Sequence, residues 1–169
     1  NHSRYRAFAA TARDHDFERW SLDAWTILRK PTIPQQWENF RGWGVSGRYD
    51  GPVPDLELIN YNLRYTTYVT RFDGDFGKIG GWLDADLISF QYLLGRRYAD
   101  VLNIGAGGGR EVLNALHHGA REVTAVDVSD VTVDALMKGK LRDFSGNLYG
   151  RPDVKAYADE GRSFVMRSA

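Results

Sequence analysis

The chain has no cysteine among its 169 residues. It therefore forms no disulfides and no thiolate metal sites, and this composition fits a reducing compartment. An excess of one charge is also lacking: Lys plus Arg and Asp plus Glu number 22 each, so no net field attracts nucleic acid or an anionic membrane. No apolar run approaches the roughly 20 residues that span a bilayer, and no signal-peptide pattern is present. We therefore expect a cytoplasmic protein, or one on the cytoplasmic face of a membrane, that does not bind nucleic acid.

The four histidines show no metal-ligand spacing, so no metal site is expected. His117 and His118 are adjacent, and adjacent residues lie about 100° apart on a helix. We expect them to mark the exposed carboxyl end of a helix that stops before Gly119.

Glycine is concentrated in one segment that follows a short apolar stretch. Val101 to Ile104 predict a central parallel strand covered on both faces, and residues 105–109, Gly-Ala-Gly-Gly-Gly, predict a tight turn. A helix is expected to start near Gly109, and a second strand over 123–127 ends in an acid. Open α/β sheets use these parts, in this order, to build a nucleoside-binding crevice at the carboxyl ends of their strands. The helix start would offer N–H groups and a positive dipole end to an anionic group of the ligand.

The glycine spacing discriminates between nucleoside cofactors. The dinucleotide pattern Gly-x-Gly-x-x-Gly, started at Gly105, puts Arg110 at its third glycine, where a long side chain would hold the helix away from the strand. A nicotinamide-dependent oxidoreductase therefore ranks last. The pattern Gly-x-Gly-x-Gly does fit, on Gly105, Gly107 and Gly109, and it is the pattern of S-adenosylmethionine-dependent enzymes. Asp127 lies 22 residues beyond Gly105, where it is placed to accept hydrogen bonds from ribose hydroxyls. Alternatively, Asp127 caps the helix that follows Ser129.

A third strand, an acidic turn and a helix start are predicted over residues 153–165. An acid at the end of this strand faces the same crevice and can accept the adenine amino group, while the next N–H reaches the ring. Glu160 is the first candidate and Asp159 the second. In the alternative interpretation both are ordinary turn acids near a helix N-terminus.

Several segments carry a resemblance to a known family: Ile104–Glu111, Val123–Asp127, Arg142–Tyr149, Arg151–Val154 and Glu160–Phe164. They are similar to the spermidine-synthase-like branch of the class I S-adenosylmethionine-dependent methyltransferase fold. Within that branch they resemble uncharacterised bacterial members, some of which carry membrane-spanning segments elsewhere. The resemblance covers roughly residues 57 to 169 and is strongest over 99 to 165.

This resemblance implies a cofactor, S-adenosylmethionine or its decarboxylated form, and a set of residues that line it. These are Gly105, Ala106, Gly107, Gly108 and Gly109 at the methionine part, Asp127 with the adjacent Val128 at the ribose, and Glu160 with Gly161 at the adenine.

Two departures from the family pattern bear on activity. Polyamine synthases typically read Gly-Gly-Gly-Asp-Gly, and here Gly108 stands in place of their acid, which favours methyl over aminopropyl transfer. The catalytic acid of the family lies at the end of a fourth strand, which we expect beyond Ala169. The catalytic residues of this chain are therefore unknown, and the segment alone is expected to be inactive.

The region before the glycines has a different composition, with all five tryptophans. An apolar stripe predicts a helix over Asp16–Lys30, and an ordered loop over 31–54 is expected to be packed by its aromatic residues, Trp37, Phe40 and Trp43. Two strands are predicted over Leu56–Asn60 and Tyr65–Phe72, and a helix over Leu83–Leu94. On the second strand, Tyr65 and Thr67 would share one face and Thr66 and Tyr68 the other. The tryptophans fill the core, line a substrate pocket or form a protein interface.

The predicted fold class is α/β: residues 1–95 form a small α+β lobe, and residues 96–169 form the first three strands of a Rossmann-like methyltransferase sheet, truncated before strand four. The first of these strands would be an open apolar edge, so the remainder of the chain or a protein partner must cover it. Two functions remain open. One is a transferase acting on a small-molecule substrate, and the other is a non-catalytic, methyltransferase-like scaffold subunit of a larger assembly that associates with a membrane complex.

Overall fold

Two β-sheets, one antiparallel and one parallel, organise residues 15–29 and 41–168, the parts of the chain that the structure, a computed structural model, describes. The antiparallel sheet has four strands in the order β1-β2-β3-β4, which are Phe17–Trp20, Trp25–Arg29, Leu56–Tyr61 and Tyr65–Thr70. The parallel sheet has three strands in the order β5-β6-β7, which are Asp100–Ile104, Glu122–Asp127 and Val154–Ala158. The chain is therefore mixed α/β.

Helices connect and cover the strands. Helices α1 to α4 are, in chain order, Phe76–Asp84, Phe90–Leu93, Arg110–His117 and Gly161–Ser168. A π-type helix spans Val131–Lys140, and short 3-10 turns span Leu87–Ser89 and Leu148–Gly150. Helix α3 connects β5 with β6, and the π-type helix lies between β6 and β7. The parallel sheet thus consists of successive β-α-β units, as the sequence predicts.

The helix predicted over Asp16–Lys30 is wrong. This segment forms the antiparallel pair β1 and β2, in which Phe17 pairs with Leu28 and Trp20 with Trp25. All of the first four residues of β2 are buried, which suits a strand covered on both faces, whereas a helical stripe would expose some of them. Leu22, which belonged to the predicted stripe, lies fully exposed in the turn.

The two strands predicted after the proline-rich region are confirmed as β3 and β4, which pair from Leu56 opposite Thr70 to Tyr61 opposite Tyr65. The helix predicted over Leu83–Leu94 is interrupted. Helix α1 ends at Asp84, and the side chain of Asp86 then accepts a hydrogen bond from the N–H of Ile88 and starts a 3-10 turn.

The tryptophan-rich loop is described only in part. Trp37 and Phe40 lie outside the described residues and Trp43 is 57 % exposed, so the packing of this loop by its aromatic residues stays a prediction. Trp25 and Trp82 are buried, and the indole N–H of Trp82 donates to the carbonyl of Arg41 at 2.7 Å. These two tryptophans therefore fill the core.

Strand β5 is an edge of the parallel sheet among the described strands. Leu102 and Ile104 are 47 % and 55 % exposed, so the predicted coverage of both faces is wrong for this strand within the described residues. The central strand β6 carries the buried residues Val123, Ala125 and Val126 instead. One hydrophobic cluster contains buried residues from both sheets, so the antiparallel sheet packs directly onto the parallel sheet and its helices.

Candidate functional site

The glycine turn connects β5 to α3 at the carboxyl edge of the parallel sheet. Gly105, Gly107 and Gly109 have φ values of +80°, +48° and +82°, a region that side chains rarely adopt. The N–H groups of Gly105 and Ala106 both donate to the carbonyl of Val126 on β6, at 2.8 and 3.1 Å. Helix α3 begins immediately after Gly109, as predicted. The bend therefore carries the chain over the end of the neighbouring strand.

Three of these glycines are approached by the protein's own atoms. A Cβ at Gly108 would lie 1.8 Å from the carbonyl oxygen of Tyr68, and one at Gly109 would lie 2.5 Å from Leu148 Cδ2. A Cβ at Gly107 would lie 2.9 Å from Thr67 Oγ1. Among these four glycines, only a Cβ at Gly105 would have no atom within 4 Å, and Gly105 is exposed. Close packing by β4 therefore requires glycine at 107 and 108, while the space at Gly105 is open to a ligand.

Asp127 lies against the glycine turn. Its Oδ2 accepts a hydrogen bond from the N–H of Gly107 at 2.8 Å, and its Oδ1 accepts one from the N–H of Ser129 at 2.9 Å. The structure thus brings the predicted acid and the predicted bend together. A carboxylate offers about four lone-pair positions, so two such bonds leave acceptor capacity for further donors. The next helix begins at Val131, and its first N–H groups are bound by the side chains of Asp130 and Ser129, so the alternative interpretation, a helix cap by Asp127, is wrong.

Two tyrosines lie within electrostatic range of this carboxylate. The hydroxyl of Tyr149 donates to the carbonyl of Gly107 at 2.9 Å, and the hydroxyls of Tyr61 and Thr132 are 2.8 Å apart. Burial raises the pKa of Tyr149 and of Tyr61, and the charge of Asp127 raises both further. Both phenols are therefore neutral at physiological pH and act as hydrogen-bonding groups. The sequence interpretation missed them, because they come from segments far from the glycine motif.

Strand β4 contributes Thr67 to the turn. Its Oγ1 accepts a hydrogen bond from the N–H of Gly108 at 3.2 Å. Strand alternation placed Thr67 with Tyr65 on one of two alternative faces, and the structure shows that Thr67 contacts the turn. The N–H groups of Gly107 and Gly108 are thus both bound by side chains of this chain, whereas the sequence interpretation assigned this end of the turn to a ligand.

Glu160 caps helix α4. Its carboxylate accepts hydrogen bonds from the N–H groups of Arg162 at 3.0 Å and Ser163 at 2.9 Å, and from the hydroxyl of Ser163 at 2.8 Å. These bonds lower the pKa of Glu160 to about 2. The geometry therefore realises the alternative interpretation, a turn acid at a helix N-terminus. The second candidate, Asp159, accepts from the N–H of Glu160 at 2.8 Å and pairs with Arg167.

The remaining predicted residues lie at the same edge of the sheet. The N–H of Asp159 donates to the carbonyl of Asp127 at 2.9 Å, so the ends of β6 and β7 adjoin. A Cβ at Gly161 would lie 2.4 Å from Ile104 Cγ2, which places the start of α4 over the end of β5. Val128 is exposed directly after Asp127. The ends of all three parallel strands thus converge near Asp127.

The side chain of Arg110 does not hold α3 away from β5, although the dinucleotide pattern predicts such a steric conflict at this position. Its guanidinium reaches away and forms a bidentate pair with Asp86, whose side chain is fully buried. Burial also raises the pKa of Glu111, in the first turn of the same helix. The Arg110–Asp86 pair ties the N-terminus of α3 to the segment after α1, a role that sequence spacing did not reveal.

No known protein family and no curated protein matches the chain. Among solved structures, a candidate RNA methyltransferase from Pyrococcus horikoshii is 30 % identical over 47 % of this chain and 37 % of its own, with a TM-score of 0.35. A spermidine synthase from Thermotoga maritima is 16 % identical over 72 % of this chain and 41 % of its own, with a TM-score of 0.42. A SAM-dependent methyltransferase from Agrobacterium tumefaciens is 19 % identical over 83 % and 46 %, with a TM-score of 0.40. The chain spans less than half the length of each of these structures.

The helices within 15–29 and 41–168 include none with both the length and the apolar character needed to cross a bilayer.

Proposed function

We propose that this chain is the cofactor-binding part of a transferase that uses S-adenosylmethionine, or its decarboxylated form, to modify a small acceptor molecule. One observation carries the proposal: the 2.8 Å hydrogen bond from the N–H of Gly107 to Asp127 Oδ2, which joins the glycine bend and the acid at one point. Both lie at the carboxyl edge of a parallel sheet, where open α/β sheets bind their ligands.

The open space at Gly105 supports a position for the methionine part of the cofactor. The N–H groups of Gly107 and Gly108 already donate to Asp127 and Thr67, so they are not available to the methionine carboxylate in this arrangement. Asp127 retains lone pairs for the two ribose hydroxyls. We propose that the adenine lies toward Gly161, with its amino group donating to Glu160 Oε1, which accepts a single hydrogen bond from its helix.

The packing at Gly108 supports methyl transfer over aminopropyl transfer. The acid of the polyamine synthase pattern would stand at this position, and a Cβ there would lie 1.8 Å from the carbonyl oxygen of Tyr68. A side chain at 108 therefore requires β4 to move away from the turn. We propose that the chain binds S-adenosylmethionine in preference to the decarboxylated form.

When bound, S-adenosylmethionine supplies an electrophilic carbon attached to a sulfonium. The residues of this chain would contribute position and orientation, which are the main requirements of such a transfer. Asp127 would fix the ribose, and the turn would fix the methionine part. A general base for the acceptor is not assigned to any described residue.

Isothermal titration calorimetry of the protein with S-adenosylmethionine, its decarboxylated form and S-adenosylhomocysteine tests this function. We expect saturable binding of S-adenosylmethionine and of the product, with weaker binding of the decarboxylated form. An absence of both heat and thermal stabilisation at millimolar ligand would remove the proposal. Tighter binding of the decarboxylated form would replace methyl transfer by aminopropyl transfer.

A second candidate function, a non-catalytic scaffold, is favoured by the open edge of β5. Leu102 and Ile104 of this edge strand are both about half exposed, and apolar edge strands invite pairing with another strand. We propose that further polypeptide, from a longer chain or a partner protein in a larger and membrane-associated assembly, pairs with β5. The expected result is slow hydrogen exchange, in the complete protein or its complex, of those β5 amides that point away from β6. Fast exchange there, equal to that of an exposed loop, would contradict it.

A further inference from the structure

Three side chains with metal-binding atoms meet far from the glycine turn, where the end of α1 contacts the end of α3. They are Asp84, His117 and His118, and one ligand atom from each lies within 4.8 Å of the others. His117 Nε2 is 2.8 Å from Asp84 Oδ1, and His118 Nε2 is 3.3 Å from the same oxygen. Sequence spacing gave no indication of this cluster, because the aspartate precedes the histidines by more than thirty residues.

The hydrogen bonding of His118 leaves its Nε2 without a hydrogen-bond partner among the described residues. Nδ1 lies 2.9 Å from the carbonyl oxygen of Asn114, and a carbonyl can only accept, so the ring proton belongs on Nδ1. In the neutral ring, Nε2 then carries a lone pair that faces the lone pairs of Asp84. This nitrogen is buried and has no hydrogen-bond partner among the described residues. Two acceptors that face each other at 3.3 Å repel each other unless a proton or a metal ion lies between them.

Both imidazole rings are held in place by packing. Tyr92 stacks on His118 with ring centroids 4.8 Å apart, and Phe76 contacts His117 at 5.7 Å. Gly80 on α1 makes room for the His117 ring, since a Cβ there would lie 2.6 Å from His117 Cε1. Rings fixed in this way lose little freedom when they bind a ligand, which favours affinity.

We propose that Asp84, His117 and His118 bind a divalent transition-metal ion of the zinc class. Two imidazole nitrogens and one carboxylate oxygen suit zinc, cobalt, nickel or copper, whereas magnesium and calcium prefer sets of oxygen ligands. The carbonyl of Asn114, which accepts from His118 Nδ1, is the usual kind of outer partner that orients a metal-bound histidine. Asp84 is half exposed, so it provides an entry path and leaves the remaining coordination positions to water.

The location of the cluster defines its role. Helix α3 is 8 residues long, so its carboxyl end lies about 12 Å from the glycine turn at 1.5 Å per residue. The metal would therefore join α1 of the N-terminal region to α3 of the Rossmann-like part, and it would take no part in group transfer. This inference does not depend on the proposed function.

Metal titration of the chelator-treated protein tests the inference. We expect one equivalent of Zn²⁺ to bind by calorimetry, with no binding of Mg²⁺, and we expect Zn²⁺ to raise the melting temperature. The variants Asp84→Asn, His117→Gln and His118→Gln should each weaken zinc binding at least about ten-fold, the lower limit of what loss of an outer partner costs. His15→Gln is the matched control, because His15 also contacts a carboxylate, Glu18 at 2.9 Å, but lies just before β1.

A measurement on the wild-type protein keeps the inference testable if a variant does not fold. Electron paramagnetic resonance of the Cu²⁺-loaded protein should show coupling to two imidazole nitrogens at one equivalent. Zinc binding that is absent, or that the three variants weaken no more than His15→Gln does, would overturn the proposal. So would a copper spectrum without imidazole nitrogen. In either case the cluster is an ordinary ion pair between a protonated His118 and the carboxylate of Asp84.

Discussion

Gly108 and Tyr68 approach so closely that a Cβ on the glycine would lie 1.8 Å from the tyrosine carbonyl oxygen. The obstacle is backbone rather than a flexible side chain, so it cannot rotate away. Strand β4 of the antiparallel sheet and the glycine turn of the parallel sheet therefore form one interlocked unit. The glycine at this position serves the packing between the two sheets.

This contact predicts the effect of Gly108→Ala on stability. The added methyl must displace β4 or the turn, and overpacking of this kind costs about 1–3 kcal/mol of the free energy of unfolding. Gly47→Ala is the control, because no atom lies within 4 Å of a Cβ there. Urea denaturation measures both. Equal unfolding midpoints for the two variants would show that β4 does not press on the turn.

The buried ion pair between Arg110 and Asp86 supports a second prediction. In Arg110→Met the fully buried carboxylate of Asp86 loses its charged partner, which costs about 3–5 kcal/mol for a buried pair. Arg121→Met is the matched control, since Arg121 pairs with Asp100 on the surface at 3.0 Å and such pairs contribute less than about 1 kcal/mol. Chemical denaturation compares the two losses. A loss in Arg110→Met no larger than in Arg121→Met would contradict the burial of this pair.

The helix cap at Glu160 predicts a pH dependence of stability. Its pKa is lowered from 4.5 to about 2 by hydrogen bonds from the backbone and the hydroxyl of the first helical turn. A carboxylate with a depressed folded pKa stabilises the fold above its unfolded pKa, and this stabilisation is lost as the pH falls toward the folded value. The difference in melting temperature between the wild type and Glu160→Gln should therefore be largest above about pH 5 and shrink toward about pH 3. A difference that stays constant over this range would show that the carboxylate does not cap α4.

The sequence predicted the parallel sheet well because its signals are local. One β-α-β unit contains all of them: the apolar stretch, the five-residue turn and the acid 22 residues after Gly105. The antiparallel sheet was predicted less well, since strands and helices compete where apolar spacing is ambiguous. The segment that forms β2 is a strand and not a helix because it pairs with β3, which lies some thirty residues away in the sequence.

Side-chain contacts between distant segments were beyond the sequence. Thr67 reaches Gly108 across 41 positions, and Tyr149 reaches Gly107 across 42. The sequence also could not decide between ligand binding and helix capping, the two roles that it offered for each acid. Asp127 ends β6 and Glu160 lies shortly after β7, and both precede a helix. Only Asp127 contacts the glycine turn, while Glu160 is bound by its own helix.

The role assigned to Asp127 yields the last prediction, on cofactor affinity. The variant Asp127→Asn keeps the size of the side chain and one carbonyl oxygen, but it removes the charge that strengthens hydrogen bonds from ribose hydroxyls. Since a hydrogen bond to a charged group contributes about 1.5–3 kcal/mol, S-adenosylmethionine should bind about ten-fold or more weakly by calorimetry. Asp130→Asn is the control: Asp130 is a neighbouring acid whose side chain accepts from the N–H of Val131 and does not contact the turn. Thermal unfolding of both variants separates lost binding from lost folding. If Asp127→Asn folds normally and binds the cofactor as tightly as Asp130→Asn does, the carboxylate serves only to fasten Gly107 and Ser129.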